Sequence, residues 1–220
     1  MKRLGLVTIG QTPRIDLLPD IKMILGNGVE IVERGALDGL TLDQVKELYP
    51  TKDDEVLVTR MADGTEVKVA ERHIFPRLKK LINNLEQDGI NVILIACTGE
   101  FPYINSSSIL VYPQKVLHHV VSSIAEELAL GVLIPDELQI ESAKKRWSGA
   151  TKKVFVEPGS PYEGLERVVK AAQKLVHNAD LVVMDCIGYT LAMKEAVAKS
   201  INRPVILARS VIAKITAEIL

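Results

Sequence analysis

Cysteine is nearly missing from this chain, with two in 220 residues. That excludes a disulfide-stapled secreted fold, which needs several pairs, and a four-cysteine zinc module. Aromatic residues are scarce at 4%, which leaves little to stack on bases. Neither sign of charge dominates: the net charge is −1 and no basic stripe exists, so nothing invites nucleic acid. No run approaches the ~18 apolar residues of a membrane span. The apolar run Leu4–Ile9 is soon interrupted by Gln11 and Pro13, too early for a signal-peptide core. These absences predict a cytoplasmic protein with reduced thiols and no membrane or nucleic-acid partner.

Cofactor signatures are missing as well. The four histidines, His73, His118, His119 and His177, have no metal-ligand spacing, and there is no C-x-x-C. No glycine-rich dinucleotide turn, P-loop or serine nucleophile elbow is present. No metal and no cofactor is expected.

What is present is a regular alternation. Hydrophobic residues make up 47% and charged residues 25%, a globular balance. Short apolar runs alternate with amphipathic stretches, the pattern of a parallel α/β sheet. Strands are predicted at Arg3–Ile9, Val29–Glu33, Val92–Ala96, Ile109–Val111, Gly131–Ile134, Lys153–Val156, Leu181–Asp185 and Val205–Leu207. Helices are predicted at Arg14–Leu25, Leu42–Leu48, Arg72–Gln87, Gln114–Ala129, Glu137–Trp147, Tyr162–Val176, Tyr189–Lys199 and Val211–Ile219. Pro13 and Pro161 suit first helical turns, with Thr12 and Ser160 as the caps before them.

The two cysteines end two copies of one phrase, Asn91-Val-Ile-Leu-Ile-Ala-Cys97-Thr-Gly99 and Asp180-Leu-Val-Val-Met-Asp-Cys186-Ile-Gly188. Each reads as a strand buried on both faces with a thiol at its carboxyl end, where open α/β sheets bind ligands. The repeat extends further. Leu4-Gly-Leu-Val7 matches Leu130-Gly-Val-Leu133, and Ser123-Ile-Ala-Glu-Glu-Leu128 resembles Thr216-Ala-Glu-Ile-Leu220. Gly5 to Cys97 spans 92 positions and Gly131 to Cys186 spans 55, so the first half carries 37 extra residues, the length of Gly35–Glu71. The tail of that insertion, about residues 49–71, is a hairpin by its Asp63-Gly64 turn and flanking alternation. It either covers a cleft, makes an oligomer contact, or is an inert surface element. The domain reading is 1–112 plus 208–220 as the first α/β domain and 113–207 as the second.

Cys97 and Cys186 are the candidate catalytic pair. Each precedes a glycine and a predicted helix start, where N–H groups and the helix dipole favour a thiolate. A thiolate and a thiol on opposite faces of a carbon acid exchange a proton without metal or pyridoxal. The alternatives are two small buried hydrophobes or a disulfide, which a reducing cytosol disfavours. Around the thiols, Gln11, Thr12 and Arg14 lie in a loop suited to an anion at a helix start. An ordinary capped turn with Arg14 solvated or paired to Asp16 is the other reading. Thr98, Gly99, Gly188, Tyr189 and Thr190 follow the thiols and offer donors for a carboxylate, though Thr98 and Thr190 equally suit helix caps. Asp185 points to another face and suits a capping role.

The segments Leu4-Gly-Leu-Val-Thr-Ile-Gly-Gln-Thr-Pro-Arg14 and Val183-Met-Asp-Cys-Ile-Gly-Tyr189, with the overall length, resemble the AroM family. That family looks related to the aspartate/glutamate and hydantoin racemase superfamily. The resemblance implies two pseudo-symmetric parallel-sheet α/β halves with an interdomain cleft that one cysteine per half faces, matching Cys97 and Cys186. It also implies a final helix that packs on the first domain and a homodimer. Two departures stand out. The superfamily's Cys-Asn-Thr is Cys97-Thr98-Gly99-Glu100 here, and its Cys-Thr-x-[aromatic or acidic] is Cys186-Ile187-Gly188-Tyr189. The carboxylate-gripping Asn and Thr are therefore altered or shifted. The function expected is a cofactor-independent racemase or isomerase acting on a small carboxylate by two-cysteine proton transfer. The alternative is a non-catalytic metabolite sensor on the same fold, linked to aromatic biosynthesis.

Overall fold

The computed structural model describes residues 2–220. The chain divides into two compact units: one runs to Gln114 and takes in Ala213–Leu220, and the other is Lys115–Ile212. The first unit contains β1 (Lys2–Thr8), α1 (Leu18–Leu25), β2 (Val29–Gly35), α2 (Leu42–Lys46), β3 (Val56–Arg60), β4 (Glu66–Ala70), α3 (Glu71–Gln87), β5 (Val92–Ala96) and β6 (Ile109–Val111). Next come α4 (Pro113–Ala125), β7 (Ala129–Ile134), a 3₁₀ turn at Glu137–Gln139, α5 (Ile140–Trp147), β8 (Lys153–Pro158) and α6 (Leu165–Leu175). The chain continues through β9 (Leu181–Met184), α7 (Leu191–Ile201) and β10 (Val205–Leu207) to α8 (Ala208–Ile219).

Each unit is built on a four-stranded parallel sheet, ordered β2-β1-β5-β6 in the first and β8-β7-β9-β10 in the second. With the β3–β4 hairpin set aside, both orders read second, first, third, fourth. The two halves share one topology, as the repeated phrases predict. All residues of β5 and of β9 are buried, as inner strands covered on both faces require. In the second unit the strand alternation deals residues to two clusters. Leu133, Val182 and Met184 pack with Val168 and Leu175 of α6 and Val197 of α7, while Leu130, Val132 and Val183 pack with Leu117 of α4 and Trp147 of α5.

The repeat reaches the level of single contacts. A Cβ on Gly5 would lie 2.9 Å from Leu85 Cδ1, and one on Gly131 would lie 2.9 Å from Ala179 Cβ and 3.1 Å from Leu175 Cδ1. The equivalent helices α3 and α6 thus press on equivalent bare backbone. The 37-residue excess is realised as α2 and the hairpin. Strands β3 and β4 pair antiparallel, with Gly64 at φ +98° in their turn, a conformation glycine adopts freely.

Several helix starts differ by two or three residues from the expected ones, α8 for instance beginning at Ala208 rather than Val211. Three departures change the reading of a cap or a turn. Helix α1 begins at Leu18, not Arg14, because Pro19 takes its first turn; Thr12 is not its cap, Pro13 is not its first residue, and the Thr12–Pro13 peptide is cis. Helix α6 begins after Gly164, whose φ of +102° no helix interior accepts. Ser160 Oγ instead accepts a hydrogen bond from Tyr162 N in the preceding turn. The third departure follows Cys97. No helix starts there, and residues 99–108 run irregularly to β6.

Candidate active site

Both cysteines are thiols, outside any disulfide, and both are buried just past the carboxyl end of an inner strand. Gly99 N donates to Cys97 Sγ at 3.3 Å, and Gly188 N donates to Cys186 Sγ at 3.3 Å. One turn geometry therefore occurs twice. In each, a backbone N–H aimed at sulfur stabilises negative charge there. Neither glycine tolerates a side chain easily: a Cβ would come 2.7 Å from Leu57 Cδ2 at Gly99 and 2.7 Å from Tyr162 Oη at Gly188. Helix support differs, since only Cys186 is followed by a helix, α7, with Thr190 as its cap accepting from Met193 N. Thr98 caps nothing. Glu100 is exposed and accepts from Gln114 Nε2.

In the first unit, Thr8 pairs with Ala96, so the loop after β1 and the turn after β5 leave the sheet side by side. Gln11, Thr12 and Arg14 stand in that loop, and the protein itself engages their donors. Gln11 Nε2 donates to Leu37 O and Leu40 O, and its Oε1 accepts from Ala62 N. Thr12 donates through both N and Oγ1 to Asp38. Arg14 is 1% exposed and forks onto Asp16 from Nε and Nη2, while its Nη1 donates to Thr8 Oγ1. Burial works against the Asp16 carboxylate, but the Arg14 fork and charge outweigh it and hold that carboxyl below the usual range. Of the two readings of Arg14, pairing with Asp16 is the one observed. The loop is a braced turn, not an open cradle at a helix start.

In the second unit, Tyr189 is fully buried and its hydroxyl donates to Gly159 O at 2.7 Å. Asp185 is not a cap. Its Oδ2 accepts from Trp147 Nε1 at 2.8 Å and from Arg146 Nη2 at 3.2 Å, an ion pair almost fully buried at the head of the thiol turn. His118 stacks on Trp147, with ring centroids 5.3 Å apart. Among the described residues no three His, Cys, Asp or Glu side chains assemble as a metal site, and no helix is long and apolar enough to cross a membrane.

A family model described as AroM protein matches residues 4–220, essentially the whole chain and both thiol turns. The chain belongs to the AroM family. No curated protein matches its sequence. Solved structures with the same fold include the Picrophilus torridus aspartate racemase, 13% identical, covering 99% of this chain and 94% of that one at a TM-score of 0.65. The allantoin racemase from Klebsiella pneumoniae is 12% identical over 100% of this chain and 87% of that one, with a TM-score of 0.68. The Nocardia farcinica maleate cis-trans isomerase, solved bound to TRIS, is 14% identical over 97% and 89%, with a TM-score of 0.60. At these identities the likeness establishes the fold of this AroM chain, an α/β architecture of the Asp/Glu racemase kind.

Sequence reasoning passed over two residues of this AroM protein. Arg209, at the start of α8, is completely buried; its Nε donates to Ile187 O at 2.9 Å and its Nη2 to Gly188 O at 2.8 Å. It grips the Cys186 turn from behind, and nothing in the spacing signals this. Thr59 is the other. It lies on β3 of the inserted hairpin, buried, on the same strand face as Leu57, which meets Gly99. A threonine amid an apolar strand was the available signal.

Proposed function

We propose that this AroM protein is a cofactor-independent racemase or isomerase acting on a small carboxylate, with Cys97 and Cys186 as paired acid and base. The observation that carries this reading is the duplicated N–H···Sγ contact at 3.3 Å on two thiols at equivalent strand ends. In the reaction, one thiolate takes the proton from the carbon next to the carboxylate. The electron pair is held as a planar enolate-like intermediate, and the other thiol delivers a proton to the opposite face. No net oxidation occurs, and the thiols exchange roles. Thr98, Gly99, Gly188 and Thr190, next to the sulfurs, hold the carboxylate; Gln11, Thr12, Arg14 and Tyr189 fix the shape of the loops around it. The aspartate racemase and maleate isomerase of this fold are named for small dicarboxylates, which supports the substrate class.

The test is deuterium uptake in D₂O followed by NMR, over D- and L-aspartate, D- and L-glutamate, hydantoins and aromatic-pathway acids. Cys97→Ser and Cys186→Ser are expected to keep the wild-type circular dichroism and lose exchange by at least ~10²-fold, the low end of a lost general acid or base. Full exchange in the double variant would sink the mechanism. A second reading, metabolite sensing without turnover, draws support from the braced loop after β1, whose donors serve the protein itself. Binding that survives loss of both thiols, with no exchange of any acid on the panel, selects it.

A further inference from the structure

The inserted hairpin lies over the carboxyl-terminal edge of the first sheet. Gln11 N donates to Arg60 O, Ala62 N donates to Gln11 Oε1, and Leu57 abuts Gly99. Strand β3 therefore runs across the ends of β1 and β5, the position where open α/β sheets take their ligands. Leu57 and Thr59 share the face turned to those ends. Leu57 covers the Cys97 turn, and Thr59 Oγ1 occupies the space that a Cβ on Gly10 would need. Thr59 is 1% exposed, yet its hydroxyl has no partner among the protein's own groups. Buried hydroxyls are normally paired, and an orphan calls for an explanation, a bound group among them. Its neighbours sharpen the point. Thr8 Oγ1 accepts from Gly10 N and from Arg14 Nη1, so one threonine of the pair bordering Gly10 is engaged and the other is not.

We propose that Thr59 is a specificity-determining residue of the Cys97 half-site, its hydroxyl donating to the carboxylate of a small acid bound at the ends of β1 and β5. This rests on the carboxylate reading above. It gives the insertion a role that neither thiol supplies: within the first unit the hairpin covers the ends of β1 and β5 and selects for an acceptor at one point. A ligand of the same shape with a hydrogen-bond donor at that point is tolerated, because a hydroxyl also accepts. One with an apolar group there is rejected.

The experiment measures thermal stabilisation of the full chain by maleate, D-aspartate and L-aspartate at millimolar concentration. Wild type, Thr59→Val, Thr59→Ala, Thr59→Ser and Cys97→Ser are compared. At least one acid is expected to raise the melting temperature of wild type, of Thr59→Ser and of Cys97→Ser. In Thr59→Val and Thr59→Ala the apparent affinity for that acid falls about ten- to a hundredfold, the worth of a hydrogen bond to a charged group. Without acid, Thr59→Val melts no lower than wild type, because an unpaired hydroxyl has been removed. Equal stabilisation of Thr59→Val and wild type overturns the inference; it is the outcome expected if the hydroxyl holds only a structural water. Failure of every acid to stabilise wild type overturns it as well. The proton-transfer reading fails separately, when acid binds Thr59-dependently but exchanges no proton in a cysteine-dependent way.

Discussion

The peptide unit between Ile187 and Gly188 is a single plane with its oxygen and its hydrogen on opposite sides. Arg209 holds the oxygen side at 2.9 Å, and Cys186 Sγ receives the hydrogen side at 3.3 Å. The guanidinium thus fixes the direction of the donor and polarises it, since hydrogen bonds in series strengthen one another. Lysine, a point charge without the planar fork, cannot hold Ile187 O and Gly188 O together. Arg209→Lys is therefore expected to slow alkylation of Cys186 by iodoacetamide at neutral pH about tenfold, because alkylation goes through the thiolate and the Gly188 N–H aimed at it would be less firmly held. The rate at Cys97, whose donor Arg209 does not touch, serves as the internal control. Equal slowing at both sites, read by peptide mass spectrometry, would show a general structural effect instead. The cysteines and their glycines were legible because they recur in repeated phrases. Arg209 was not, because it reaches back 22 and 21 residues to its carbonyls, and a distance along the chain carries no sign of proximity.

Among the elements, the irregular stretch between Cys97 and β6 has its own brace. Glu86, at the end of α3, accepts from Ser106 Oγ, Ser107 N, Ser107 Oγ and Ser108 N. These donors, the Ser106 hydroxyl foremost, hold the Glu86 carboxyl below its ordinary value of 4.5. A depressed folded value means that the unfolded chain takes up the proton first. The stabilisation is complete above the ordinary value and disappears as pH falls through the folded one. Melting curves of wild type and Glu86→Gln should accordingly differ most near neutral pH and converge as the pH is lowered below about 4. A gap that stays constant with pH would remove the charge from the explanation. Strand positions were legible from apolar runs, and the hairpin from its Asp63-Gly64 turn, because each signal is local. Helix starts were not, because they were decided by which proline or glycine took the first turn: Pro19 over Pro13, and Gly164 over Pro161. After Cys97 no helix starts at all: residues 99–108 run irregularly and end in the Ser106–Ser108 turn whose donors Glu86 takes.

At the scale of the molecule, the first unit is discontinuous in sequence, and Ala213–Leu220 belongs to it. Ala213 and Thr216 are buried, and Ala217 and Leu220 border a cavity of about 480 Å³ with Lys2, Leu25 and Val29. Removing residues 213–220 should therefore speed amide exchange in β1, α1 and β2 well before β7 and β9, measured by hydrogen–deuterium mass spectrometry. Faster exchange spread evenly over both units would contradict the division. The same discontinuity sets an order during synthesis. Domains tend to form as soon as their residues have left the ribosome, and Lys115–Ile212 is one unbroken stretch. The half translated first must therefore wait, one segment short and with part of its apolar surface open to chaperones, until the half translated second has already closed.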